Sequence, residues 1–231
     1  IKAGNIIVGP WYMQNDFYLT SGESTVRNLI RGTKIAEEFG ACGRVGYAPD
    51  QFGNISQLPQ ILRNFGIDNF VFGRGYHEDS FDIEGNKRSF DTELPEFIVG
   101  DLTGSGVGGA KRVFKPAEFI WRGPDGSELL AICMLYWYNN AQRFSENIDN
   151  SKLVLDTNKY LFDGYAVSPY LLMMNGVDHL EAQENLIPIL KKLNGVLPED
   201  ECVEQMELSK YIDNVKQYIK ENNVNMHVQE G

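Results

Sequence analysis

The sequence lacks the cysteine content of a disulfide-stabilised protein. Its three cysteines, Cys42, Cys133 and Cys202, lie far apart, and none belongs to a C-x-x-C pair. An odd number of distant cysteines favours free thiols in a reducing compartment over a disulfide framework or a cysteine-built zinc site. We therefore expect a cytoplasmic location.

Long apolar runs and an excess of positive charge are also missing. No stretch of the sequence approaches the roughly 20 apolar residues that span a bilayer, and the sequence predicts no signal peptide. The formal net charge is −11, and like charges repel, so general affinity for nucleic acid or anionic membranes is disfavoured. We expect neither a nucleic acid nor a membrane as partner.

Familiar catalytic and nucleotide-binding motifs are absent or incomplete. The sequence has no G-x-S-x-G elbow and no P-loop. Gly104, Gly106 and Gly109 fit the dinucleotide motif G-x-G-x-x-G, but that motif works only where its glycines lead into a helix. Pro116 and β-rich residues follow instead, so we predict a flexible glycine loop.

The pattern that is present alternates strand-like and helix-like segments. Residues 5–12 are predicted to be a strand that leads into an aromatic loop. Further strands are predicted in 44–48, 68–75, 168–176 and 203–210, with a hairpin across 118–138. Helices are predicted in 21–40, 54–66, 181–195 and 210–223, and 77–115 is predicted to be a long excursion with little regular structure. Strands that are apolar on both faces imply a parallel sheet covered by helices, so we predict an α/β protein. With no repeat or linker, residues 1–231 are predicted to be a single domain.

The helix predicted in 21–40 has the clearest amphipathic pattern. Its predicted apolar face comprises Val26, Leu29, Ile30, Ala36 and Phe39. Gly40 suits the position just after the helix end, where a left-handed conformation is common.

Several chemically active side chains follow directly after predicted strands. They are Asp50, Arg74, Asn139, Asn140, Asp178 and His179. Because the carboxyl ends of parallel strands face the same side, these residues should converge on one rim. Two carboxylates on one rim suit acid–base or nucleophilic chemistry on a sugar.

Four of these residues also have a simpler explanation. Asp50 precedes a predicted helix and could cap it, although Asn54 and Ser56 stand closer to the helix start. Asp178 could occupy a turn, and Arg74 could be a structural ion-pair partner. His179 alone is weak evidence for a metal. From the residues by themselves, both interpretations stay open.

A family resemblance favours the catalytic interpretation. The segments "GPWYMQND" and "GYAPDQFGNISQLPQILRNFGIDNFVFGRG" closely resemble the α-mannosidases of glycoside hydrolase family 38, especially a bacterial branch that includes mannosylglycerate hydrolases. The segments "EFIWRGPDGSELL", "YNNAQRF" and "MNGVDHLEAQ" match in order, so the resemblance covers nearly the whole chain and is weakest in 78–115. It implies an incomplete piece of an irregular parallel, barrel-like α/β catalytic domain.

The resemblance also implies roles for individual residues. Asp50 would be the nucleophile of a retaining glycosidase and a ligand of a catalytic zinc ion, with the acid/base Asp178 about 5–5.5 Å away. Arg74 would contact the nucleophile. The other implied substrate contacts are Trp11, Tyr138, Asn140 and His179.

The zinc site that the resemblance implies is incomplete in this sequence. The family takes two further ligands from an H-x-D motif near its N-terminus, which this sequence lacks, and a fourth from a His-Asp motif beyond the equivalent of Gly231. We therefore expect an excised piece of a catalytic domain that is inactive alone. The expected substrate is an α-mannoside or a mannosylated small molecule, and a homo-oligomeric parent protein is compatible with the resemblance. A mannosylglycerate hydrolase and a catalytically dead carbohydrate-binding relic are the alternatives.

Overall fold

The computed structural model describes residues 1–4, 6–51, 53–74, 116–135, 138–142, 144–176 and 178–231. The predicted excursion and the predicted glycine loop lie outside these residues. The chain divides into two units. The first contains the described residues within Ile1–His77, Glu118–Met134 and Leu208–Gly231, and the second contains those within Glu78–Ala117 and Leu135–Glu207.

The helices and strands of the described residues have the following bounds. The strands are β1 (Gly46–Ala48), β2 (Asn69–Phe72), β3 (Glu118–Arg122), β4 (Glu128–Cys133) and β5 (Val228–Glu230). The helices are α1 (Gly22–Phe39), α2 (Leu58–Asn64), α3 (Ile148–Phe162), α4 (Leu186–Asn194) and α5 (Leu208–Glu221). None of these helices is long and apolar enough to cross a membrane.

The first unit contains a five-stranded sheet in the order β1-β2-β4-β3-β5. The pairs β1/β2, β2/β4 and β3/β5 are parallel, and β3/β4 is the antiparallel hairpin that the sequence predicts. In the parallel part, Tyr47 lies opposite Val71, which lies opposite Ile132. All four residues of β2 are buried, as expected for a strand covered on both faces. The predicted α/β class is therefore confirmed.

The amphipathic pattern of helix α1 predicts some of its buried residues correctly and others wrongly. Ser21 caps the helix by accepting a hydrogen bond from the Ser24 amide at 3.2 Å, and Gly40 follows the helix end with φ of 149°. The buried stripe is Thr25, Leu29, Gly32 and Ala36. Ile30 and Phe39 were placed on the apolar face, and this is wrong, because they are 54% and 52% exposed. Ile30 lies about 100° around the helix from Leu29, and Phe39 is the last helical residue.

Helix α5 has three buried residues, Tyr211, Ile212 and Val215. The Tyr211 hydroxyl donates to Glu118 Oε1 of β3 at 3.3 Å. Burial, together with the charge of Glu118 beside it, raises the pKa of Tyr211 well above its ordinary value. Since this hydroxyl stays protonated when the chain is folded, the contact stabilises the unit fully below about pH 10 and weakens at more alkaline pH.

Three strand predictions are wrong in the described residues. Within 5–12 the only pairing among described residues is a single parallel bridge between Val8 and Cys42. In 203–210 the chain forms no strand, and α5 begins at Leu208. In 168–176 the chain has no ladder partner, because the apolar residues there pack within the second unit rather than in the sheet.

The second unit is helical in its described residues. Its core comprises Ala141, Phe144, Leu155, Ile189, Leu190 and Leu193. Helix α3 begins after Asn147, whose side chain accepts hydrogen bonds from the amides of Asp149 and Asn150. The sequence did not predict α3, whereas α4 lies inside the helix predicted in 181–195.

Candidate active site

Asp50 and Arg74 meet at the carboxyl edge of the parallel strands. Each is the second residue after its strand, Asp50 after β1 and Arg74 after β2, and the two strands are neighbours. The Gly73 amide donates to the Ala48 carbonyl at 3.3 Å, and a side chain at Gly73 would come within 2.3 Å of the Pro49 carbonyl oxygen. This close backbone approach places the Arg74 guanidinium in an ion pair with Asp50 Oδ1.

The Asp50 carboxylate has one buried and one exposed side. Its Oδ1 is buried, yet the side chain as a whole is 47% exposed, so the exposed polar atom is Oδ2. The helix-cap interpretation receives no support, because the residue at the start of α2 is Gln57 and no side chain caps it. Asn54 does not cap it either, since its amide donates to the Arg74 carbonyl at 2.8 Å. A carboxylate with one oxygen held by a cation and the other accessible can act as a nucleophile.

Trp11 lies in a loop that α1 holds in place. Asn28 of α1 accepts hydrogen bonds from the amides of Tyr12 at 2.8 Å and Met13 at 3.2 Å, and donates to the Met13 carbonyl at 2.7 Å. Gly32 touches the same loop so closely that a Cβ there would lie 2.1 Å from the Pro10 carbonyl oxygen. The half-buried Trp11 packs against the core cluster of the first unit that also contains Ala48. Trp11 is therefore ordered in the same unit as Asp50.

Gln51 is a residue that sequence reasoning missed. It follows Asp50 directly and is 4% exposed, and its amide nitrogen and oxygen are both buried without a hydrogen-bond partner among the described residues. A buried polar group left without a partner costs about 1–3 kcal/mol. Nothing in the pattern of the sequence distinguishes this glutamine from an exposed loop residue.

This burial gives a prediction for Gln51→Met. Methionine keeps the shape of the side chain and removes the unpaired polar atoms, so the free energy of unfolding should be unchanged or up to about 2 kcal/mol higher. Urea denaturation followed by circular dichroism measures it. Asn69→Leu is the matched control, because Asn69 is also buried but donates to the Arg44 carbonyl at 3.0 Å and accepts from the Gly46 amide at 3.3 Å. A loss in Gln51→Met as large as in the control would contradict the prediction.

Tyr138 and Asp178 meet in the second unit. The Tyr138 hydroxyl donates to Asp178 Oδ2 at 2.9 Å, and the Asp178 side chain is exposed. The neighbouring His179 is exposed as well, with a left-handed backbone at φ of 66°. Such a conformation is uncommon for residues other than glycine and often occurs at functional sites. An accessible carboxyl group oriented by a phenol is suited to proton transfer.

The side-chain amide of Asn140 hydrogen-bonds to the backbone through both its nitrogen and its oxygen. Its Nδ2 donates to the carbonyls of Leu135 at 3.1 Å and Leu172 at 3.0 Å, and its Oδ1 accepts from the Met174 amide at 2.6 Å. The predicted role of Asn140 in substrate binding receives no support from these contacts.

The structure thus brings the predicted site residues together in two groups. Asp50 and Arg74 form one pair, in the unit that also holds Trp11, and Tyr138 and Asp178 form another, in the unit that also holds Asn140 and His179. The separation of about 5–5.5 Å between the two carboxyl groups stays a prediction.

The residues present do not by themselves fit a zinc site. Among the described residues, no three His, Cys, Asp or Glu side chains lie together in a way that could hold a metal ion. Asp50, the one ligand that the sequence predicted, is paired with Arg74. Zinc therefore stays a prediction, and any other ligands would have to come from outside this described set.

Comparison with known proteins gives consistent matches. The chain matches the Glycosyl hydrolases family 38 N-terminal domain over residues 1–229. It is 31% identical over 218 residues to a protein of Halalkalibacterium halodurans provisionally named mannosylglycerate hydrolase, covering 94% of this chain and 22% of that protein. A 73-residue part, 31% of this chain and 7% of the relative, is 40% identical to alpha-mannosidase G of Dictyostelium discoideum.

A solved structure agrees with these relatives. The crystal structure of an alpha-mannosidase from Enterococcus faecalis V583 matches with a TM-score of 0.79 and 25% identity, over 99% of this chain and 22% of that one. The chain thus spans about a fifth of the length of the proteins that it matches over most of its own length.

Proposed function

Since the chain belongs to glycosyl hydrolase family 38, we propose that the protein that carries it is a retaining exo-α-mannosidase. The main support for this proposal is the Asp50 carboxylate at the carboxyl edge of the sheet. One of its oxygens is paired with Arg74, and the other is accessible. A glycosidase nucleophile needs an accessible carboxylate oxygen, and the carboxyl edge is where sites form in parallel sheets.

In the first step, Asp50 Oδ2 attacks the anomeric carbon of a mannoside. The bond to the leaving-group oxygen breaks as the bond to Asp50 forms, through an oxocarbenium-like transition state. The Arg74 guanidinium pairs with Asp50 Oδ1 and fixes the orientation of the carboxylate, so that the exposed oxygen faces the sugar. The product of this step is a covalent mannosyl-enzyme ester.

Asp178 is the proposed acid and base. As an acid it protonates the leaving oxygen, and as a carboxylate it then accepts a proton from water, which attacks the ester and releases mannose with retained configuration. The Tyr138 hydroxyl, 2.9 Å from Asp178 Oδ2, fixes the orientation of this carboxyl group. Trp11, Tyr138 and His179 are proposed to line the sugar subsite.

A second candidate activity is the hydrolysis of mannosylglycerate. It is favoured by the name of the Halalkalibacterium relative, which matches 94% of this chain. The chemistry at the anomeric carbon is the same and only the aglycone differs. Comparing kcat/KM for mannosylglycerate with that for methyl α-mannoside would decide between the two.

Covalent trapping tests the proposed nucleophile. The fluorine of a slow fluorinated mannosyl substrate destabilises the transition state for hydrolysis of the mannosyl ester. The mannosyl-enzyme should therefore accumulate when the whole protein is incubated with this substrate. Peptide mass spectrometry should then find the sugar on the peptide that contains Asp50. A label on another carboxylate would show that Asp50 is not the nucleophile.

The absence of any label in a folded protein would favour the carbohydrate-binding relic instead. Binding of methyl α-mannoside without turnover, measured by calorimetry on the same preparation, would support that alternative. Zinc content, cytoplasmic location and homo-oligomerisation of the whole protein remain predictions from the family resemblance.

A further inference from the structure

We propose that Asn140 and Asn175 are positioning residues that hold the Asp178 carboxyl group in place. This inference rests on the proposed function, because it assigns the amides a role in the acid/base step. Neither asparagine needs to touch the substrate. They act by fixing two chain segments, one beginning with Tyr138 and the other leading to Asp178.

The segment before Asp178 is held by side chains where a strand ladder is missing. Residues 168–176 form neither a helix nor a strand, so their polar backbone groups need other partners. Asn140 supplies two of them, because it donates to the Leu172 carbonyl at 3.0 Å and accepts from the Met174 amide at 2.6 Å. The amide of one side chain thus replaces one rung of a β-ladder.

Asn175 makes the reciprocal contact from the other segment. Its Nδ2 donates to the Ala141 carbonyl at 2.8 Å, while the Ala141 amide donates to the Met174 carbonyl at 2.9 Å. The same Nδ2 lies 3.1 Å from Gln183 Oε1, and Gln183 in turn donates to the Phe144 carbonyl at 2.7 Å. The segments 138–142 and 172–176 are therefore joined by direct hydrogen bonds in both directions. We call this set of bonds the amide clamp.

Helix α3 makes a hydrogen bond to the amide clamp. Asn158 of this helix is 4% exposed and donates to the Asn140 carbonyl at 3.0 Å and to the Val154 carbonyl at 2.9 Å. This bond fixes the backbone of Asn140 itself. The backbone of Asn140 is consequently tied to helix α3, which favours precise placement of the groups that the Asn140 side chain holds.

The position of the amide clamp relates it to the proposed chemistry. Tyr138 lies two residues before Asn140, and Asp178 lies three residues after Asn175, so the clamp joins the chain segments that carry this hydrogen-bonded pair. Asp178 is exposed, and few packing contacts can fix it. Misplacement of a catalytic group by about 1 Å can cost on the order of 100-fold in rate.

A purely structural role for the clamp makes a different prediction. If the asparagines only stabilise the unit, their loss should lower activity on all mannosides equally. If they position the acid, the loss should be greatest for substrates whose leaving group needs protonation. The ratio of kcat/KM for methyl α-mannoside to kcat/KM for dinitrophenyl α-mannoside separates the two, because dinitrophenolate leaves without an acid.

The experiment measures this ratio for the whole protein and for Asn140→Ala, Asn175→Ala and Asn194→Ala. Asn194 is the matched control, because it also bonds backbone through both ends of its amide, donating to the Val203 carbonyl at 2.9 Å and accepting from the Val203 amide at 2.8 Å. The ratio should fall at least about 10-fold in Asn140→Ala and Asn175→Ala and stay within about twofold of wild type in Asn194→Ala. Should Asn140→Ala fail to fold, the exchange at Asn175, which removes fewer bonds, decides alone.

The outcomes separate this inference from the proposed function. If Asp178→Ala lowers the ratio and the clamp variants do not, the positioning role is wrong and the acid role of Asp178 stands. If Asp178→Ala leaves the ratio unchanged while the clamp variants lower it, Asp178 is not the acid and the amides act on another group, which overturns the inference as stated. A wild-type protein that hydrolyses neither substrate overturns both.

Discussion

An Asp50→Asn variant of the whole protein should hydrolyse α-mannosides on the order of 10⁴-fold more slowly than wild type, or slower. Asparagine keeps the size of the side chain but cannot form the mannosyl ester, so the reaction loses its covalent route. Steady-state kcat/KM with dinitrophenyl α-mannoside measures the effect, because chemistry with this substrate does not depend on the acid. The fluorinated mannosyl substrate should leave the variant unlabelled.

Asp68→Asn is the matched control for this exchange. Asp68 also pairs with a cation, lying 2.5 Å from Lys216, but it directly precedes β2 and so lies at the opposite end of that strand from Arg74. Burial raises the pKa of Asp68, and the hydrogen bond and charge of Lys216 outweigh this, so that the pKa is lowered. The pair therefore stabilises the fold above about pH 4 and loses its effect as the pH falls. Asp68→Asn should lower stability slightly at neutral pH and leave kcat/KM within about twofold of wild type.

A variant Asp50→Asn that kept more than a tenth of wild-type activity would contradict the nucleophile assignment. An equal loss of activity in Asp68→Asn would indicate instead that removing a cation-paired carboxylate next to this sheet lowers activity without any role in the chemistry. Circular dichroism on both variants distinguishes loss of fold from loss of chemistry.

Asp178→Ala should give the second largest effect, and one that depends on the leaving group. General acid catalysis contributes about 10²–10⁴-fold, so kcat/KM for methyl α-mannoside should fall by that amount. The fall for dinitrophenyl α-mannoside should be much smaller, because its leaving group needs no proton. A uniform fall for both substrates would contradict the acid role.

Azide provides an independent test of Asp178. In Asp178→Ala, azide needs no base to attack the mannosyl-enzyme, so it should displace the Asp50 carboxylate and give mannosyl azide of retained α configuration. The configuration is read by nuclear magnetic resonance. The β product would mean that azide attacks the substrate directly, without an ester to Asp50.

The part of the fold that the sequence predicted best is the part with strong local signals. Helices α1, α2, α4 and α5 and the β3–β4 hairpin follow from periodicity, glycine positions and a Gly-Pro-Asp-Gly-Ser turn. The wrong strand in 168–176 shows the limit of this reasoning. An apolar run without breakers is typical of a buried strand, but it does not indicate whether a neighbouring strand exists, and here side-chain amides supply the partners.

For the candidate site, the order of strands and polar residues predicted that Asp50 and Arg74 lie on one rim, because the carboxyl ends of parallel strands share an edge. The contact between the two was implied by the family resemblance, and the structure contains it. The contact between Tyr138 and Asp178 could not be predicted in this way, since the two residues are 40 positions apart and neither directly follows a strand of the sheet. Asn140 is a substrate contact that the family resemblance implies, and only the structure shows that its side-chain amide makes three hydrogen bonds to the backbone.

The last strand of the sheet has a consequence for how the chain is made. Residues Val228–Glu230 pair with β3, and the indole of Trp121 donates to the Gly231 carbonyl at 2.9 Å, more than a hundred residues along the chain. During synthesis from the N-terminus, β3 therefore leaves the ribosome long before the strand that covers its outer edge. In that interval its unpaired backbone can recruit the edge of another nascent chain. Keeping neighbouring nascent chains apart until residue 231 has emerged should therefore favour pairing of β3 with its own β5.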